Sequence, residues 1–114
     1  MTNVLVVDDD KNLADLLTLL LFREGFYPTT TYCAEDAIEH MKIKPVDIVL
    51  TDLLMPGLGG KGLIKWMLEN DVDIPIIVLT GKDDTRDVPA LIPVIPKPFK
   101  SETLVAEIRK ALGS

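Results

Sequence analysis

A chain of 114 residues, 47% hydrophobic and 26% charged, has the length and make-up of one globular domain spanning 1–114, which excludes disorder as its main state. A net charge of −6 argues against direct contact with a nucleic-acid backbone or with anionic lipid, since both need clustered Lys and Arg. One cysteine, Cys33, and one histidine, His40, exclude an internal disulfide and a Cys/His zinc site.

The chain opens on a short apolar run, Val4-Leu5-Val6-Val7, that ends in acids. It has no basic leader or cleavage pattern, and the longest apolar run, 16–22, is too short to span a bilayer, so a cytoplasmic location is expected. Leu13, Leu16, Leu17 and Leu20 form a helical stripe stopped near Gly25, with Asp10 placed to cap it. Residues 26–32, rich in Thr and Tyr, read as a second strand. Ala34, Ala37, Ile38 and Met41 sit at helical spacing, followed by a third strand over 46–51. After a glycine-rich loop at 57–62, Leu63, Trp66 and Met67 mark a third helix. A fourth strand covers 74–80 and a fifth 91–96. Ser101 is placed to cap a last helix striped by Leu104 and Ile108. Between strands four and five, residues 82–89 are charged, lack an apolar stripe and carry Pro89, which predicts a short or irregular fourth helix.

Strand–helix alternation predicts βαβ units, hence an α/β, doubly wound, five-stranded parallel sheet. Strands one, three and four are continuous apolar runs, as strands buried on both faces are. Strand five carries Pro93 and Pro96, which cannot donate to a ladder, so it belongs at an edge. The polar second strand belongs at the other, in keeping with the order 2-1-3-4-5.

Ligands of such sheets bind at the carboxyl ends of the strands. There stand Asp8, Asp9 and Asp10 after strand one, Asp52 after strand three, Thr80 at the end of strand four and Lys97 after strand five. Taken singly, each has a plainer use: helix cap, turn residue, surface charge. Taken together, three converging carboxylates repel one another and ask for a cation. Oxygen donors with no His or Cys nearby suit Mg²⁺. Lys97 can pair with Asp52 or a phosphoryl oxygen, and the Thr80 hydroxyl can donate to the same group. Nucleophilic carboxylate, metal, lysine and hydroxyl together suit phosphoryl transfer to Asp52. His40 reads as a partly solvated helix residue, Cys33 as a small apolar filler and Trp66 as helix packing.

These residues resemble the receiver domains of two-component response regulators, the chemotaxis-regulator type of flavodoxin-like fold. The resemblance runs over essentially the whole chain. It rests on Val4-Leu5-Val6-Val7-Asp8-Asp9-Asp10, Asp47-Ile48-Val49-Leu50-Thr51-Asp52-Leu53-Leu54-Met55-Pro56-Gly57, Ile77-Val78-Leu79-Thr80-Gly81 and Pro96-Lys97-Pro98-Phe99. It implies that Asp8 and Asp9 hold Mg²⁺ with Asp52 and the backbone carbonyl of Leu54. It implies that Asp52 is the phosphoacceptor, Thr80 the switch hydroxyl and Lys97 the lysine paired to the phosphoryl group. A cis Lys97-Pro98 bond is implied as well. The phosphoryl donor would be a sensor histidine kinase or a histidine phosphotransfer protein, and the output a contact with a downstream protein. The role is regulatory rather than enzymatic, with autophosphorylation and autodephosphorylation chemistry of its own. Both a stand-alone receiver and part of a larger protein fit the sequence.

The sequence departs from the family pattern in three places. Val94 stands where the family has a switch aromatic. Only sixteen residues separate Thr80 from Lys97, several fewer than usual. Gly59 stands where many relatives carry an acid. Leu54 and Lys82 occupy the positions that tune acyl-phosphate hydrolysis in the family, and an aliphatic Leu54 predicts slow loss of the phosphoryl group. The main alternative is a pseudo-receiver, the same fold used as a phosphorylation-independent interaction module. An aspartate-nucleophile phosphatase would want an acid where Leu54 stands. A flavin site would want Ser, Thr and Gly donors where Asp8 and Asp9 stand.

Overall fold

The structure is a computed structural model and describes residues 1–81, 85 and 88–113. Its elements run β1 (Asn3–Val7), α1 (Lys11–Arg23), β2 (Tyr27–Thr31), α2 (Ala34–Ile43), β3 (Ile48–Thr51), α3 (Gly59–Glu69), β4 (Ile76–Thr80), β5 (Val94–Pro96) and α4 (Ser101–Ala111). The strands form one parallel sheet in the order β2-β1-β3-β4-β5. The expectation of an irregular helix over 82–89 falls mostly outside the described residues, and the C-terminal helix is α4 here.

Side chains of a strand alternate between faces, and the three apolar central strands use both. Val4, Val6, Ile48, Leu50, Ile77 and Leu79 face one layer, where α1 contributes Ala14, Leu17 and Leu21 and α4 contributes Leu104, Val105 and Ile108. Leu5, Val7, Val49, Ile76 and Val78 face the other, against Ala37 and Ile38 of α2 and Leu63, Ile64 and Met67 of α3. Most of these residues are fully buried. Each buried Val, Leu or Ile contributes roughly 1.5–3 kcal/mol relative to exposure, so the sheet is anchored from both sides. The edges are proline-bearing, Pro28 in β2 and Pro96 in β5. Pro93 precedes β5 and helps restrict it to three residues, against the six expected. No helix among the described residues is long and apolar enough to cross a membrane.

Two helix starts differ from expectation. Asp10 caps α1 as expected, its carboxylate accepting from Leu13 N at 3.2 Å. Ser101, however, is the first residue of α4 and not its cap. Its hydroxyl donates to the Glu102 carboxylate at 2.7 Å, and Lys100 holds the cap position with no side-chain bond. The α3 helix begins at Gly59, inside the stretch expected to be loop. The reason is close packing. Gly60 N donates to Leu53 O at 3.0 Å, and a Cβ on Gly60 would stand 1.9 Å from the Asp52 carbonyl oxygen. Glycine here lets the helix begin against the backbone that carries Asp52.

Candidate functional site

Parallel pairing delivers the ends of β1, β3, β4 and β5 to one rim. Asp8 follows β1 and is 2% exposed. Its Oδ1 accepts from Asp10 N at 2.9 Å, fixing the carboxylate against its own loop. Asp52 follows β3, and its Oδ1 accepts from Leu53 N at 2.7 Å. The remaining oxygen of each points at one cation. Lys97 Nζ donates to Asp8 Oδ2 at 2.9 Å and to Asp52 Oδ2 at 3.2 Å. Lys97 N also donates to Thr80 O at 2.9 Å, which registers the lysine beside buried Thr80. The Lys97-Pro98 bond is cis, as the resemblance implied.

Asp9 is exposed, yet one oxygen from each of Asp8, Asp9 and Asp52 lies within 4.8 Å of the others. Among the described residues, one lysine against these three carboxylates leaves the cluster net negative. The donor set is all oxygen and partly solvent-facing. Those are the terms on which Mg²⁺ binds, keeping several waters and taking a few carboxylates, so these residues fit that ion.

Burial pulls the Lys97 pKa down, but hydrogen bonds and attraction from Asp8 and Asp52 outweigh it, and the net shift is upward. A raised folded-state pKa contributes stability that is whole below the unfolded value, about 10.4. That contribution is lost as pH climbs through the folded value. Tyr32, whose hydroxyl donates to Asp15, is shifted the same way, so a difference between variants is needed to isolate Lys97. The fall in denaturation midpoint between pH 9 and about 11.5 is therefore expected to be shallower in Lys97→Met than in the wild type. Parallel profiles would contradict the pairing.

The comparisons bear on what this rim is for. The model of the response regulator receiver domain family matches residues 4–109. The DNA-binding response regulator MtrA of Mycolicibacterium paratuberculosis is 39% identical over 96% of this chain and 50% of its own length. The chain belongs to the response regulator receiver domain family. Response regulator SaeR of Staphylococcus epidermidis is 32% identical over 99% of this receiver and 51% of its own length. The receiver thus spans about half the length of the curated relatives it matches. Among solved structures, the response regulator TrrA of Thermotoga maritima, in complex with Mg²⁺-BeF, superposes with a TM-score of 0.89. It is 30% identical, over 98% of this chain and all of that one. A CheY-like receiver domain protein of Methanospirillum hungatei, 21% identical, shares the fold with a TM-score of 0.92 over 99% of this chain and 94% of its own. The fold, the strand order and the role as a two-component signalling receiver agree with the expectation from sequence. The expectation of no direct nucleic-acid contact came from the charge of these 114 residues alone, whereas MtrA's description as DNA-binding belongs to a chain twice as long.

Of the residues singled out from sequence, Asp8, Asp9, Asp52 and Lys97 meet in space and Thr80 closes the same rim. Leu54 lies two residues beyond Asp52 and is 54% exposed. Val94 is 37% exposed on β5, and Lys82 lies outside the described residues. Sequence reasoning paired Lys97 with Asp52 or a phosphoryl oxygen and did not foresee Asp8, which takes the shorter contact. It also passed over Glu35 of α2, whose carboxylate accepts from Leu58 N at 3.3 Å in the loop after Asp52.

Proposed function

We propose that this receiver, a single domain over 1–114, takes a phosphoryl group on Asp52 from a sensor histidine kinase or a histidine phosphotransfer protein in the cytoplasm. A downstream protein contact would read the change. The observation that carries this reading is the convergence of Asp8 and Asp52 on Lys97 Nζ with Asp9 alongside. Asp52 Oδ2, the oxygen that faces Lys97, attacks phosphorus, an O–P bond forms, and the N–P bond of the phosphohistidine breaks. The imidazole leaves with the bonding pair and takes a proton from solvent. Asp8, Asp9, Asp52 and the Leu54 carbonyl would hold Mg²⁺, which when bound supplies positive charge to the transferring oxygens. Lys97 already stands at the acceptor oxygen and neutralises charge from the other side. Thr80 would donate its hydroxyl to a phosphoryl oxygen. The pseudo-receiver alternative gains no support from the rim, where both acids, the threonine and the lysine are all in place. The test is intact mass after incubation with acetyl phosphate and MgCl₂. One phosphoryl adduct is expected, and none when the metal is chelated.

Leu54 bears on how long the adduct lasts. An aliphatic side chain there holds no water for attack on the acyl phosphate. A net hydrogen bond to such a water is worth about 1 kcal/mol, or roughly fivefold in rate. The variant Leu54→Asn with Lys82→Glu is therefore expected to lose labelled phosphate about five times faster than the parent. Equal or slower loss in the variant contradicts the assignment.

A further inference from the structure

The α3 helix starts with no cap of its own. Leu58 at the cap position makes no side-chain hydrogen bond, and the first turn holds no acid. Three of its first four residues, Gly59, Gly60 and Gly62, are weak helix formers. The first N–H groups of a helix need acceptors from outside it. Here one comes from α2: Glu35 Oε2 accepts from Leu58 N at 3.3 Å. Gly57, at φ +75°, makes room for it, since a Cβ there would stand 2.6 Å from the same oxygen. Glu35 also lies in the first turn of α2, whose cap residue Cys33 makes no side-chain bond either. One carboxylate thus lies by two positive helix ends, where negative charge is favoured.

We propose that Glu35 is a positioning residue for the metal site. The loop 53–58 is tied at its start, where Leu53 N meets Asp52 Oδ1 at 2.7 Å and Leu53 O meets Gly60 N at 3.0 Å. Glu35 ties its far end. Between the two ties lies Leu54, whose carbonyl is assigned to Mg²⁺. This inference rests on that assignment.

The experiment is an NMR titration of the full chain with MgCl₂, following the amides of residues 52–60, beside hydrogen exchange at the Leu58 amide without metal. Glu35→Ala is expected to bind Mg²⁺ about threefold more weakly, less than the roughly tenfold or more that loss of a direct outer-shell partner costs. Its Leu58 amide should exchange faster. Glu35→Gln keeps the acceptor without the charge and should bind close to wild type. Unchanged Mg²⁺ affinity in Glu35→Ala, or Gln behaving as Ala does, overturns the inference. No metal-dependent shift in the wild type overturns the site assignment itself, and the inference with it.

Discussion

Asp52→Asn, incubated with acetyl phosphate and Mg²⁺, is expected to gain no mass while the wild type gains one phosphoryl group. The substitution keeps the shape of the side chain and an oxygen for Leu53 N, now 2.7 Å from Oδ1. It removes the anionic oxygen that faces Lys97, and a neutral amide is a far poorer nucleophile. Lys97 retains Asp8 at 2.9 Å, so the buried carboxylate is not left unpaired. One negative charge also leaves a crowded group of three, which relieves repulsion. A folded, unlabelled variant is thus the expected product, and its circular dichroism should match the wild type. An adduct of undiminished yield in the variant would place the acceptor elsewhere and sink the proposed role of Asp52. The same experiment on Asp8→Asn should show reduced rather than absent labelling at high Mg²⁺, because a metal ligand is weakened while the nucleophile survives.

The rim was readable from sequence because each contributing residue sits next to a strand that announces itself. Val4 to Val7 and Ile48 to Thr51 are unbroken β-favouring runs buried on both faces, and a parallel sheet brings their carboxyl ends together. Pro93 and Pro96, before and within β5, gave away its edge position. What stayed hidden depends on distance in space rather than on periodicity. The Glu35–Leu58 contact spans 23 residues between elements whose local pattern is silent about it. The Lys97–Asp8 pair spans 89, and sequence order offers no reason to prefer it over Asp52. The start of α3 was hidden for the opposite reason. Gly59 and Gly60 are local signals for a loop, and tertiary packing against Asp52 overrides them. Ser101 is a good cap by type, but Lys100 reaches the cap position one residue earlier.

Gly60 carries the second large effect. In an open helix Ala is favoured over Gly by about 1 kcal/mol, so propensity alone predicts that Gly60→Ala stabilises. The packing predicts the reverse. The added Cβ would lie 1.9 Å from Asp52 O and 2.8 Å from both Asp52 C and Leu53 Cα, all of them backbone atoms. No rotamer change relieves such a contact; either the first turn of α3 or the Asp52–Leu53 peptide must move. Overpacking of this kind costs about 3 kcal/mol, leaving a net loss near 2 kcal/mol after the gain in propensity. The denaturant midpoint should fall accordingly at constant m-value. Because the atom struck is the carbonyl of Asp52, the proposed phosphoacceptor, Mg²⁺ affinity and labelling by acetyl phosphate should fall even where the variant is fully folded. Gly62→Ala is the internal control. Its Cβ would meet Leu58 Cγ at 2.5 Å, a side chain that is 46% exposed and free to turn away, so propensity should win and stability should hold or rise. If Gly60→Ala instead behaves as Gly62→Ala does, the tight seat of α3 on the Asp52 backbone is not what fixes the geometry of the rim.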